Sequence, residues 1–408
     1  MITVNSLQLL LVPVAIILAG RYYLEYLVDI DNLFVFPTNQ SLPEQLTDDW
    51  AENERLSSAQ PLYTGQPPVH GVESAAEFNG HLYGTDDQNR ILEFNLANGK
   101  IRFLGEVSGR VLGVRVDSKG QMFYMQANKG LFRLDTTSKQ SNPEPVYIHD
   151  PVNEPENIRN VTFLNDFVFQ ERPDGQHLFY ITQSTRRWPL NEITSFVLEN
   201  DKTGRVLIFD AATKELSVLA DKMHFPNGVE LLQDQSALLV SEFTQRRIRR
   251  IPLKGEGRGQ LKTFFDILPG EPDNIRRSLT NTYWIAFDGI RNSTDCHIMD
   301  RHPESRLIRQ GLLYVHRAME VTLDLLNAIL DTSGWQKQWA AYALESQKRY
   351  MTRGATIEVD AEGNLLTVLQ SSKVRLLSEV REIKSDQPGK RLLFLGSYFK
   401  FPPMKLYL

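Results

Sequence analysis

Four short motifs each place an acid or an amide just ahead of a short apolar strand. They are Gly71-Val72-Glu73-Ser74, Phe163-Leu164-Asn165-Asp166, Phe225-Pro226-Asn227-Gly228-Val229 and Pro272-Asp273-Asn274-Ile275. Two carboxylates with several amide oxygens make a hard, all-oxygen donor set, of the kind Ca²⁺ takes with about six to eight ligands. No cluster of His and Cys offers a zinc site, and the single cysteine, Cys296, can close no internal disulfide. Taken singly, each motif is ordinary: Asn227-Gly228 and Asp273-Asn274 are turn formers, and Asn165-Asp166 can cap a local turn. Their recurrence at matching points of a repeat is what joins them into one site. His70 and His224 each stand three residues ahead of a candidate ligand. They read as bases or, more plainly, as loop or packing histidines. Glu73 or Asp273 is the other choice for activating a water.

The elements that position these motifs repeat from about residue 70. A Gly- or Asp-containing turn leads to a short apolar strand, a polar stretch and a second strand. The first strands centre on Leu82-Tyr83, Met122-Phe123, Leu178-Phe179, Leu238-Leu239, Tyr283-Trp284 and Leu393-Phe394. The second strands include Arg90–Phe94, Gly130–Leu134, Arg205–Phe209, Arg247–Ile251 and Met404–Leu408. The first four intervals, 40, 56, 60 and 45 residues, are the spacing of four-stranded blades. The last, 110, holds an insertion. Six units predict an all-β, six-bladed β-propeller over 56–408, with Leu56–Tyr63 supplying the strand that closes the ring. A β-sandwich with a helical annex explains the sixfold recurrence less well. The insert spans about 288–354. Apolar residues at helical spacing from Ile308 to Leu330 predict a helix, and Trp335, Trp339 and Tyr342 continue the pattern. Residues 305–353 carry a charge of +3 in a chain of −5. The insert reads as a cap on one propeller face or as a basic amphipathic element touching a bilayer.

Residues 1–20 contain no charged side chain, enough to cross a hydrocarbon core of about 30 Å. No Lys or Arg precedes the apolar run, so an uncleaved signal anchor over 1–30 is preferred to a cleaved signal peptide, followed by a linker over 31–55. The sequons at Asn39, Asn160 and Asn292 place the propeller in the endoplasmic reticulum lumen or outside the cell. The small net charge argues against nucleic acid as a partner. Oligomeric state is not legible.

The motifs carry a resemblance. Gly109-Arg110-Val111-Leu112-Gly113, Tyr180-Ile181-Thr182-Gln183-Ser184, Phe225-Pro226-Asn227-Gly228-Val229 and Leu268-Pro269-Gly270-Glu271-Pro272-Asp273-Asn274-Ile275-Arg276, in this order, resemble the strictosidine synthase-like family, in its membrane-anchored branch. The likeness spans about 60–408, and that family is similar to paraoxonases and other calcium-dependent six-bladed hydrolases. It implies a channel Ca²⁺ held by Glu73, Asn165, Asn227, Asp273 and Asn274. The function it implies is hydrolysis of an ester or lactone carbonyl, of arylesterase or lactonase type. Three departures matter. The glutamate of condensing strictosidine synthases falls on Ser378, with Glu379 one residue later and so on the other strand face. Alkaloid-forming condensation is therefore disfavoured. The paraoxonase base histidine falls on Val111-Leu112-Gly113, and Gln126 and Gln183 stand where the family often has Asp. These departures support the alternative, a non-catalytic membrane propeller that docks a ligand or partner around a structural Ca²⁺.

Overall fold

The short alternating segments fold as twenty-four strands in six four-stranded antiparallel sheets among the described residues. The computed structural model describes residues 33, 35, 41–138, 142–150, 158, 161–294, 296–330 and 349–408. The anchor, Asn39, Asn160, Trp335, Trp339 and Tyr342 lie outside them. Among the described residues no helix is long and apolar enough to cross a membrane.

β1 (Gln60–Pro61) precedes the ring of blades. Blade one is β2–β5 (Ala75–Phe78, His81–Thr85, Arg90–Asn95, Ile101–Glu106). Blade two is β6–β9 (Val111–Val116, Gln121–Gln126, Gly130–Asp135, Glu144–Ile148). Blade three is β10–β13 (Leu164–Glu171, His177–Gln183, Gly204–Asp210, Leu216–Met223). Blade four is β14–β17 (Pro226–Leu231, Ala237–Glu242, Arg247–Pro252, Lys262–Phe265). Blade five is β18–β21 (Gly270–Arg277, Tyr283–Ile290, Arg353–Val359, Leu365–Ser371). Blade six is β22–β24 (Glu379–Ile383, Leu392–Gly396, Met404–Tyr407), completed by β1.

The six-bladed propeller is thus borne out, and so is its closure. Gln60 pairs with Lys405 and Pro61 with Met404, while Leu56 is fully buried between blades five and six. Pro61 is tolerated because this strand is outermost, where a missing N–H faces no ladder. One detail is corrected. The strands read as first in each unit are the second of each blade, and the innermost strand comes just before. The candidate ligands therefore sit on the innermost strands or at their entrance.

The apolar faces meet between neighbouring blades, giving six separate cores. Each pairs inward-alternating side chains of adjacent sheets, as with Ala76, Tyr83 and Ile91 of blade one against Val114, Met122 and Tyr124 of blade two. This packing leaves the axis to polar residues. All innermost strands begin at one mouth of the channel. Their antiparallel neighbours end there, so second-to-third strand connections cover that same mouth. In blade three this connection holds helix α1 (Ile193–Glu199), and in blade five it holds α2 (Ile298–Arg301) and α3 (Arg306–Leu330). The two insertions join: Arg309 Nη1 donates to the carbonyls of Val197 and Leu198 (3.0 and 3.1 Å), and Leu313 packs on Leu198 and Leu33. Together they form a lid.

Candidate metal centre and lid cavity

The innermost strands of blades three, four and five carry a bulge at the candidate dipeptides. Leu164 pairs with Gln183 and Phe167 with Ile181; Pro226 pairs with Glu242 and Val229 with Val240; Pro272 pairs with Phe287 and Ile275 with Ile285. Each time one extra residue is inserted on the inner strand, at Asn165-Asp166, Asn227-Gly228 and Asp273-Asn274. A bulge re-aims side chains that a regular strand would send alternately to both faces. Blade two has its own bulge between Val111 and Gly113, but there the residue is Leu112, packed in an aromatic cluster with Phe163 and Phe225. The bulge itself carries no acid, amide or histidine, although Gln126, paired with Val111 across it, has a buried oxygen without a hydrogen-bond partner.

Blades four and five approach closely at the axis. A Cβ on Gly228 would lie 2.5 Å from Asn274 Cα and 2.6 Å from Asp273 O. Blade one is tied in through the Glu73 carbonyl, which accepts from Asn274 Nδ2 (3.3 Å) and Ser378 Oγ (3.2 Å). Four of the five residues proposed as ligands then present a buried side-chain oxygen with no hydrogen-bond partner: Glu73 Oε2, Asn227 Oδ1, Asp273 Oδ1 and Asn274 Oδ1. The fifth, Asn165, donates its amide nitrogen to Ser184 Oγ (3.1 Å), which commits the nitrogen and leaves the oxygen as its remaining polar atom. Buried polar groups are normally satisfied, so several orphaned acceptors gathered from three blades form a donor set that a cation could satisfy.

Electrostatics agree. Burial, with the nearby Asp288 and Glu379 adding to it, pushes the Glu73 carboxyl up to about 8 against the opposing pull of Arg110. Asp273 is held well above the carboxylate range by burial, then by Glu73 and Asp288. Acids that raise one another in this way are stabilised as anions by a shared cation. Among the described residues no group of three or more His, Cys, Asp and Glu is gathered as a metal site. The axial set mixes two carboxylates with amides, a composition that suits Ca²⁺ and not zinc.

Next along the same strands sits a second cluster, which sequence reasoning missed as a unit. Arg276 Nη1 meets Asp166 Oδ2 at 2.7 Å and Arg276 Nε meets Glu379 Oε1 at 2.7 Å, all three fully buried. Arg115 Nη2 adds a contact to Asp166 at 3.2 Å, and Val229 N donates to the same oxygen. Burial alone would raise Asp166, yet Arg115 and Arg276 outweigh it and hold its carboxyl low. Asp166 is therefore an ion-pair partner here, while its neighbour Asn165 belongs to the axial set. Ser378 and Glu379 divide as the one-residue shift implied: Ser378 faces Glu73, and Glu379 faces Arg276.

His224 lies buried, its Nδ1 3.1 Å from the carbonyl of Asn200. A carbonyl only accepts, so the ring carries its proton on Nδ1, and burial lowers its pKa. His70 is half-buried, its carbonyl accepting from Asp87 N. Asn292 Oδ1 accepts from the backbone and hydroxyl of Thr294.

Above the axial set, the lid borders a cavity of about 110 Å³. Its walls include Phe225, Phe243 and Phe399 together with Arg246, Arg309 and Asp288. Asp288, at the end of β19, was unread in the sequence. It both lines this cavity and raises Glu73 and Asp273, which makes it the carboxylate shared by cavity and axis. Among the described residues Glu73, Asp273, His70 and His224 do not line it. A larger groove of about 1000 Å³ lies at the outer edge between blades two, three and four, lined by Tyr147, Tyr180 and Leu216, away from the axis.

The strictosidine synthase family model matches residues 173–256. Adipocyte plasma membrane-associated protein of Salmo salar is 33% identical over 274 residues, covering 64% of this chain and 63% of that protein. The Homo sapiens protein of the same name is 31% identical over 261 residues, covering 61% and 60%. The match thus spans under two thirds of those relatives. Strictosidine synthase-like 10 of Arabidopsis thaliana is 35% identical over 184 residues, covering 45% and 46%. Among solved structures, a gluconolactonase from Xanthomonas campestris superposes with a TM-score of 0.52 at 14% identity, covering 92% of this chain and 98% of that one. A calcium-binding protein, regucalcin, from Agrobacterium tumefaciens gives 0.51 at 12%, covering 86% and 93%. These last two show the fold. The sequence matches bear out the resemblance: this chain is related to the strictosidine synthase-like proteins and, among them, to the adipocyte plasma membrane-associated ones.

Proposed function

We propose that the chain is a membrane-anchored, Ca²⁺-dependent hydrolase acting on ester or lactone carbonyls. The observation that supports this most is the set of orphaned, buried oxygens on Glu73, Asn227, Asp273 and Asn274 at a lidded channel mouth. Solved relatives of the same fold are named a gluconolactonase and a calcium-binding protein, in keeping with this reading.

Glu73, Asn165, Asn227, Asp273 and Asn274 would hold the ion. Ca²⁺ bound there supplies Lewis-acid polarisation of the carbonyl and steadies the negative charge that develops on its oxygen. The residues do the rest. The bulges fix the amides of Asn227 and Asn274 on rigid strands. The Ser378 and Asn274 contacts to the Glu73 carbonyl hold blades one, five and six in register around the site. Asp288 is the carboxylate that reaches both axis and cavity, so it is the residue placed to take a proton from an attacking water. The lid excludes bulk water, which strengthens each of these interactions. With Ser378 in place of a carboxylate, amine–aldehyde condensation has no acid–base group at that point.

The described chain meets the lid at Leu33, so an anchor in the preceding residues would turn the lid face toward the bilayer. The sequons at Asn39, Asn160 and Asn292 support a propeller in the lumen or outside the cell.

Full-length protein in detergent should hydrolyse aryl esters, lose that turnover on chelation and regain it with Ca²⁺. Asp288→Asn should lower kcat by about 10²-fold or more while Ca²⁺ binding persists. Turnover that survives both chelation and Asp273→Ala would sink the metal-dependent reading. The stretch Val111-Leu112-Gly113, on which the base histidine of paraoxonase-like hydrolases falls, holds no histidine and favours a second reading: a non-catalytic propeller with structural Ca²⁺. Under it chelation lowers the melting temperature and no ester is turned over.

A further inference from the structure

Helix α3 (Arg306–Leu330) is turned the wrong way round for a helix on a watery surface. At about 100° of rotation per residue, Arg306, Arg309, His316, Arg317, Glu320 and Asp324 all fall within one arc of about 100°. The middle of that arc faces the protein. Arg309 and His316 are buried, and Arg309 Nη1 donates to the carbonyls of Val197 and Leu198 at 3.0 and 3.1 Å. Arg317 Nη1 meets Glu192, in the turn before α1, at 2.9 Å and Glu320 at 2.7 Å. Leu313, on the same side, is fully buried. Only Arg306 and Asp324, toward the two ends, are exposed.

The opposite side carries Leu307, Gly311, Val315, Ala318, Met319 and Thr322, an uncharged arc of about 120°. Leu307 is 80% exposed, Val315 62% and Met319 38%. From Leu307 to Met319 the line is about 18 Å long. An ordinary surface helix does the reverse, turning its apolar stripe to the core and its charges to water. Other exposed large apolar side chains, Phe103, Ile148, Ile267, Leu279 and Leu366, stand on five different strands and turns. Scattered residues of that kind are normal, whereas a continuous apolar face marks a contact.

Two observations indicate what covers this face. Leu33 packs with Leu313 of the same helix, so the N-terminal chain arrives at α3. The uncharged run ends at residue 20, and the chain over 21–33 spans at most about 45 Å. Residues 305–353 also carry +3 in a chain of −5, the sign that anionic headgroups attract. We propose that the outer face of α3 docks on a lipid bilayer. Leu307, Val315 and Met319 enter the boundary between headgroups and acyl chains, and the helix lies in the membrane plane. The inward contacts of Arg309 and Arg317 hold it to α1, so the channel mouth beneath the lid faces the headgroup layer. This rests on the membrane anchorage proposed above and not on the hydrolysis.

The test uses full-length protein in vesicles of phosphatidylcholine and phosphatidylserine. With the single cysteine removed by Cys296→Ser, an environment-sensitive fluorophore is attached through Val315→Cys. The control is Glu362→Cys, in the exposed turn between β20 and β21 on the opposite propeller face. Emission from position 315 should shift to the blue in vesicles. Lipids brominated on their acyl chains should quench it about twofold more than emission from position 362. Leu307→Cys should behave as Val315→Cys does, and it takes the place of that variant if the latter fails to fold. Water-like emission from position 315, in protein that floats with the vesicles, overturns the docking and leaves the anchorage. Blue emission that brominated lipid does not quench also overturns the docking, since residues 331–348 or a second copy of the chain then cover the face. Protein that does not float overturns the anchorage and the docking with it. Aryl-ester turnover on the same samples reads the hydrolase separately, because neither label touches the axial set.

Discussion

Two clusters of buried acids share the innermost strands of this propeller, and they are opposites. In one, Asp166 and Glu379 are met by Arg276, with Arg115 and Arg381 close by. In the other, Glu73 and Asp273 face each other and Asp288, with orphaned oxygens from Asn227 and Asn274 between them. In the first cluster arginines at 2.7 to 3.2 Å supply the counter-charge to both carboxylates. In the second, no ion pair meets Glu73 or Asp273 among the described residues, and under the proposed function Ca²⁺ would supply the counter-charge. Burial is the same for both, so burial does not mark the functional acids; the missing counter-charge does.

The largest effect should come from spoiling the first cluster. Arg276→Met leaves Asp166 and Glu379 buried without their main partner and should cost about 3–5 kcal/mol of stability, read by urea unfolding. Next, Asp273→Asn removes one acid from the second cluster. In chelator this relieves repulsion and the variant should be at least as stable as the parent. With Ca²⁺ at about a hundred times the parent Kd, the parent should gain about 2.7 kcal/mol and the variant far less. The crossing of the two stability orders is what distinguishes this cluster from the first. Third, Gly228→Ala pushes a methyl against Asn274 and the Asp273 carbonyl, which are backbone atoms that cannot yield cheaply. It should cost about 1–3 kcal/mol and weaken Ca²⁺ binding, whereas Gly105→Ala, with open space around its Cβ, should leave binding unchanged.

The smallest effect is a pH slope. Glu73 in the metal-free fold has a pKa of about 8, above its value of 4.5 in an open chain. Between those limits the folded state binds more protons than the unfolded one. Chelated protein should therefore lose stability as pH rises from about 4.5 to 8, by at most about 1.4 kcal/mol per pH unit for this group. Saturating Ca²⁺ should flatten that slope. Asp166, whose carboxyl is held low, works in the other sense and only at acid pH.

Much of this was legible in the sequence, because a propeller repeats its signals. The second-strand aromatics, as in Leu82-Tyr83 and Tyr283-Trp284, count the blades, and Leu56–Tyr63 was left over to close them. Four candidate ligands, Asn165, Asn227, Asp273 and Asn274, were legible because they occupy two-residue bulges with turn-like composition, and Glu73 because it stands just ahead of the innermost strand of blade one. What escaped is what depends on neighbours in space. Arg276 was read as part of a motif, yet its partners Asp166 and Glu379 are 110 and 103 residues away in the chain. Asp288 marked only the edge of the insertion, since its role exists only once β19 brings it beside Glu73.

The most direct test of the account is a calorimetric Ca²⁺ titration of the full-length protein in detergent, beside Asp273→Asn and Arg276→Lys. The account predicts one Ca²⁺ per chain, lost in Asp273→Asn and kept in Arg276→Lys. A parent protein that takes up no Ca²⁺, or an Asp273→Asn variant that binds it unchanged, would contradict it.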